Sequence, residues 1–372
     1  MAVYRKEAAT VVAIVALIFF YLFGGTLTPE IVGPATSMLL LVILFCVMLW
    51  AAFSVVRHAE CLAVILGEPY GTLILTLSVI GIEVALIAAI MIAGADKPAL
   101  ARDTMFSIIM IVLNGLVGLS LVFGGLKHRL QEYNLQGANA YLAVLMPFAL
   151  LGLVLPSYTQ SAPGGQLSVL MAAFLIVMSV LLYGIFLAVQ TITHSDIFKH
   201  RVSTAAGAEA DDDDHHGDHV RSIPFHSAGL IAALLPIVLL SKQLAVYVDF
   251  GIGVLGAPLA FGGFLIAALI LTPEALSAIR SARRKQLQRS VNICLGSSLS
   301  TMGLTIPTVL VIGWIINEPV ELGLEPTEIV MLAATLAVSL VTFISRRAHA
   351  LLGAVHLSLF AAYVALLFDG SA

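Results

Sequence analysis

Apolar residues run along this chain in long unbroken blocks, and polar residues gather in the short stretches between them. Eleven blocks are long enough to cross a hydrocarbon core of about 30 Å as helices. They lie at about 8–24, 35–56, 72–94, 105–126, 141–158, 169–190, 228–248, 253–279, 291–316, 328–345 and 351–368. Helix is the expected form because a chain in lipid must satisfy its own backbone hydrogen bonds. The first block follows Arg5-Lys6 without a clean small-x-small cleavage site, which reads as a signal anchor. One hydrophilic connection is much longer than the rest, at about 191–227. It divides the helices into one, then five, then five. An odd number per half sends the second half into the membrane from the opposite side, so the two halves form an inverted repeat. The expected organisation is residues 1–34 as an anchor helix and connection, 35–190 as the first repeat, 191–227 as a linker and 228–372 as the second repeat. The fold class is an all-α polytopic membrane protein.

Composition agrees with this pattern and excludes a soluble domain: 60% of residues are hydrophobic and only 11% are charged, with a mean hydropathy of +1.04. The bilayer is therefore the principal surroundings, and no nucleic-acid partner is expected. Charge placement adds direction. With the N-terminus in the cytoplasm, fifteen of the 18 Lys and Arg residues fall on cytoplasmic connections, and only Lys97, Arg102 and Lys242 fall outside. That asymmetry follows the positive-inside rule and puts the C-terminus outside. The net charge of −4 owes much to the linker, where Asp211, Asp212, Asp213 and Asp214 precede His215 and His216. Small residues and like charges cannot bury a core there, so these six are candidate regulatory residues at most. Cys46, Cys61 and Cys294 fall in or beside the spans and are expected as free thiols.

The chemistry begins with two carboxylates, Glu83 and Glu274, inside the apolar blocks. An unpaired charge at the bilayer centre costs roughly 3 kcal/mol, so such a residue needs a proton, a cation or a partner. Each opens a similar stretch in its half, ending at Phe123-Gly124 in one and Ile312-Gly313 in the other. A repeated segment with one membrane carboxylate per copy points to an ion-coupled transporter rather than an enzyme. Thr72, Thr76 and Glu83 share one helical face, and Ser297, Thr301 and Thr305 are spaced by four with Ser298 and Ser300 beside them. Asn114 sits mid-span. Pro273 and Pro307 loosen their helices near these positions, and Gly251, Gly253, Gly256, Gly262 and Gly263 favour close packing of the eighth span. His356 reads as a satisfied core histidine. Glu83, Glu274, hydroxyls and freed carbonyls could form an oxygen shell for a hard cation, and protons compete for the same oxygens. No nucleotide-binding loop or cofactor motif accompanies them. From these residues alone, a passive cation channel and an intramembrane hydrolase with a carboxylate dyad remain alternatives.

Several stretches carry a family resemblance. They are Gly67 to Val84, Leu100 to Ser107, Asn134 to Ala140, Thr272 to Arg280 and Asn292 to Pro307. There the chain resembles cation/proton antiporters of the cation/Ca²⁺ exchanger superfamily, particularly bacterial ChaA-type sodium–potassium/proton and calcium/proton antiporters. The resemblance implies the exchanger fold, a bacterial inner-membrane location, and exchange of cytoplasmic Ca²⁺, together with Na⁺ or K⁺, for external protons. It implies that Glu83 and Glu274 carry cation or proton, and that Gly296-Ser297-Ser298 belongs to the ion site. Calcium-selective relatives place an amide three residues before each carboxylate. Here those positions are Ile80 and Leu271, and the preceding glycines are Val79 and Ile270. Ser300 replaces a common glutamine. These departures favour broader Na⁺/K⁺/Ca²⁺ exchange over strict Ca²⁺ selectivity.

Overall fold

The computed structural model describes residues 7–67, 70–92, 98–198, 222–345 and 347–369, with the side chains of 71–73, 75, 90 and 92 excepted. The apolar blocks become eleven long helices. They are α1 (Ala8–Phe23), α2 (Pro34–Leu66), α3 (Tyr70–Ile92), α4 (Leu100–His128), α5 (Leu135–Ser157), α6 (Val169–Thr193), α7 (Ile223–Leu255), α8 (Ala260–Arg283), α9 (Leu287–Ile316), α10 (Pro326–Phe343) and α11 (Ala350–Asp369). Among the described residues, ten are long and apolar enough to cross a membrane; in α3 the stretch Thr76–Ala89 is a shorter apolar segment. The 191–227 linker lies mostly outside the described residues, and its regulatory candidates, Asp211–Asp214, His215 and His216, lie there entirely.

Several helix ends differ from the hydropathy reading. α2 runs ten residues past 56, and α7 runs on to Leu255. A buried or pocket-facing polar side chain does not break a helix; it only breaks the apolar run. Arg57, His58, Glu60 and Asp249 therefore lie inside helices. Gly251 and Gly253 belong to α7, not to the eighth span. Gly256 ends α7 at φ +61°, a left-handed position where glycine is cheap. Only Gly262 and Gly263 pack within α8, and Gly263 faces the backbone of Asp103 and Thr104 closely.

The connections sort by end. Gln131 and Glu132 (β1) pair antiparallel with Ala348 and Arg347 (β2), joining the α4–α5 and α10–α11 connections. Gln131 also donates to the Ala282 carbonyl at the end of α8. At the opposite end, Gly323 and Leu324 of the α9–α10 connection bond Gly165 and Leu153, and Glu321 bonds Pro98. Successive helices thus alternate in direction, with α3 and α8 antiparallel.

Two apolar clusters form. One joins α1, α2 and α7 with parts of α3 and α8; the other joins α4, α5, α6, α9, α10 and α11 with the rest of α8. α4 is the most enclosed of the ten candidate spans. At the basic end the first cluster is tied by Glu7, whose carboxylate accepts from Arg57 at 2.9 Å and contacts His58 Nε2 at 3.1 Å. His58 Nδ1 lies 3.1 Å from His226 Nδ1 at the start of α7.

Candidate functional site

Glu83 lies on α3 with 1% of its surface exposed. A carboxylate this deep needs donors, and α9 supplies two. Thr301 donates to one oxygen and Thr305 to the other, each at 2.8 Å. Glu274, on α8, accepts a hydrogen bond from Ser297 of the same α9. The four-residue spacing of Ser297, Thr301 and Thr305 thus lets one helix hold both carboxylates. Thr301–Thr305 forms a π-helical turn just before Pro307, the kind of irregularity that recurs at functional sites.

The two carboxylates differ in access. Glu274 lines a cavity of about 630 Å³, together with Thr76, Val79, Pro273, Ser297 and Ser300, and Glu83 is not part of its wall. Along α3, Thr76 and Val79 reach the cavity and Glu83 lies one turn beyond them. α2 forms one wall through Phe53, Val56 and Cys61, and α5, α6 and α9 form the other. The cavity therefore lies between the two apolar clusters.

The remaining candidates divide. Thr76 lines the cavity and hydrogen-bonds Tyr183. Ser300 donates to the Ser297 carbonyl at 3.0 Å. Ser298 bonds neither carboxylate: its hydroxyl is buried and has no partner among the described residues. Asn114 is not at the carboxylates. It donates to Thr335 at 2.8 Å, and its carbonyl oxygen faces His356 Nδ1 at 3.4 Å. His356 Nε2 contacts Thr342 at 3.0 Å, so it is a bonded core histidine as expected. α4 turns its polar face toward α10 and α11, and a mid-span position cannot reveal that rotation. The Thr72 side chain lies outside the described residues. Among the described residues Cys46, Cys61 and Cys294 form no disulfide.

Three residues that the polarity pattern did not single out shape the cavity. Tyr141 accepts from Gln190 at 2.8 Å and packs its ring 3.7 Å from where a Cβ on Gly296 would sit. Tyr183 approaches Gly303 so closely that a Cβ there would lie 2.9 Å from its ring. The available signal was the pair of glycines on α9, seven residues apart, since two missing side chains on one face invite two large ones. Among the described residues no three His, Cys, Asp or Glu groups converge as a metal cluster. A cation at this site would therefore rely on the two carboxylates and on hydroxyl, carbonyl or water oxygens.

Comparison with known proteins places the chain in a family. The profile of the family described as sodium/calcium exchanger protein matches residues 36–192 and 225–368. The chain belongs to that family. Within the exchanger family it is 40% identical over 365 residues to the sodium-potassium/proton antiporter ChaA of Escherichia coli (strain K12), covering 98% of this chain and 97% of that one. It is 25% identical over 300 residues to the Ca²⁺/H⁺ antiporter ChaA of Bacillus subtilis (strain 168), covering 79% and 82%. In fold it is similar to the Ca²⁺/H⁺ antiporter protein YfkE, with a TM-score of 0.71 at 19% identity over 98% of this chain and 99% of that chain. It is also similar to the H⁺/Ca²⁺ exchanger CAX, with a TM-score of 0.68 at 15% identity over 97% and 88%. The exchanger fold, a leading helix and two inverted five-helix repeats, is thus established for this chain.

Proposed function

We propose that the chain is a secondary antiporter that exchanges cytoplasmic cations, Ca²⁺ together with Na⁺ or K⁺, for external protons. Glu83 and Glu274 carry either cation or protons. The observation that carries this reading is the α9 row, where Ser297 bonds Glu274 and Thr301 and Thr305 bond Glu83. The family membership and the named antiporter relatives support it. Hydroxyls suit both states, donating to a carboxylate and turning a lone pair toward a bound cation.

The basic end, with its excess of Lys and Arg, is assigned to the cytoplasm of a bacterial inner membrane, with the N-terminus inside. The cavity then opens inward and reaches Glu274 first, while Glu83 is closed off. Alternating access follows if the α1–α2–α7 cluster shifts against the rest, closing this cavity and opening one on the other side.

Reconstitution tests the reading. In liposomes with an acidic lumen, adding NaCl, KCl or CaCl₂ outside should raise luminal pH. Glu83→Gln and Glu274→Gln should each abolish the response. Exchange that survives both substitutions rules out these carboxylates as carriers.

A further inference from the structure

The cavity is larger and more apolar than a metal cation needs. Its volume of about 630 Å³ falls in the range of about 300–1,000 Å³ that holds small organic molecules. A cation with about six waters takes up only about 200 Å³. On one side α2 contributes Phe53, Val56 and Val64; on the other, Tyr141, Tyr183 and Phe186 line the cavity from α5 and α6. A hydrated metal ion gains nothing from these side chains, and leaving them wet is unfavourable. The aromatic wall adjoins the carboxylate. The Tyr141 and Phe186 rings lie 5.0 Å apart, and the bond from Gln190 holds the Tyr141 ring in place. Tyr141 packs against Gly296, the neighbour of Ser297, which bonds Glu274. The arginines of the same cavity lie toward its mouth. Arg280 follows Glu274 by six residues and Arg289 precedes Ser297 by eight, about 9 and 12 Å of helical rise.

We propose that the cavity is a binding site for an organic ammonium ion with an aromatic body, whose charge pairs with Glu274 and whose body lies between Phe53 and the Tyr141–Phe186 wall. A cation beside an aromatic ring is attracted to it, and more strongly where water is excluded. The apolar body gains from burial against walls that a metal ion leaves wet. Such an ion takes the place of Na⁺, K⁺ or Ca²⁺ at the carboxylate. Its bulk also stops the α1–α2–α7 cluster from closing the cavity, so it blocks exchange without being carried. The proposal shares with the antiport reading a cation-binding Glu274, and it needs no transport to be detected.

The probe is benzyltrimethylammonium, whose permanent charge carries no proton across the membrane. With the full-length protein in liposomes, it should raise the apparent activation constants for NaCl and CaCl₂ and leave the maximal rates unchanged. Tetramethylammonium, with the charge but not the body, should need about tenfold higher concentration or more. Benzyl alcohol, with the body but not the charge, should leave the constants unchanged. Calorimetric titration of the purified protein reads binding apart from exchange. There Phe53→Leu, which keeps an apolar wall without the ring, should weaken binding about fivefold, and Glu274→Gln about tenfold or more. Phe174→Leu, at an exposed ring of α6 outside the cavity wall, should leave binding unchanged. No calorimetric binding to the wild-type chain, equal potency of benzyl alcohol, or binding that neither Phe53→Leu nor Glu274→Gln weakens overturns the site and leaves antiport standing. Exchange that persists in Glu83→Gln and Glu274→Gln overturns the carrier reading instead, and the calorimetry still decides the site.

Discussion

Glu83 depends on two hydroxyls that nothing in its own helix could provide. A hydrogen bond to a charged group contributes about 1.5–3 kcal/mol. Thr301→Val or Thr305→Val should therefore weaken apparent cation affinity about tenfold or more with the fold retained, measured as the cation dependence of proton movement. Asn114 should behave differently. Asn114→Leu takes one buried hydrogen-bond partner from Thr335 and one from His356, which keep their bonds to Met331 and Thr342, and each lost bond costs about 1 kcal/mol of stability. Thermal melting should fall while the cation dependence of exchange stays near wild type. The sequence marked both groups as buried polar residues at mid-span, and burial alone could not say which faced the carboxylates.

At the scale of elements, small residues fix how closely helices meet. Gly303→Ala would press a Cβ against the Tyr183 ring at 2.9 Å, an overpacking worth about 1–3 kcal/mol. Because Gly303 sits in the turn that carries Thr301 and Thr305, exchange should fall with stability. Tyr183→Leu in the same chain should restore both, read by melting and by transport. Glu7 ties α1 to α2 just outside the spans. Burial pushes its carboxyl up, and the hydrogen bond and charge of Arg57 more than offset this, holding it below the usual range. A carboxylate lowered by folding stabilises the native state above its unfolded value of about 4.5 and loses that contribution as pH falls through the folded value. Acid should therefore loosen this contact, and Glu7→Gln should reduce the acid sensitivity of melting between about pH 5 and 3.

For the whole molecule, the decisive arrangement is a cavity between two apolar clusters. It makes the cysteines chemically distinct. Cys61 lines the cavity, Cys294 is buried and Cys46 is exposed on the outer surface of α2. A water-soluble, charged thiol reagent should label Cys61 and spare Cys294, and cation loading that closes the cavity should slow the labelling. Mass spectrometry of the labelled chain reads both outcomes. Equal labelling of Cys61 and Cys294 would contradict an open cavity at the basic end.

The local sequence determined what depends on solvent and parity. Apolar run length set the eleven helices, the distribution of Lys and Arg set which connections share an end, and the odd count of five helices in each repeat required the inversion. It also picked out Glu83 and Glu274, because a carboxylate in an apolar run has few innocent reasons to be there. Tertiary structure decided what depends on rotation and contact. It placed Ser297, Thr301 and Thr305 against both carboxylates and turned Asn114 toward His356. It also left Glu274 open while closing Glu83, and gathered four arginines at one mouth from α2, α8 and α9. Residues that far apart in the chain meet only through packing, and hydropathy, which averages over a helix, carries no record of which way each face turns.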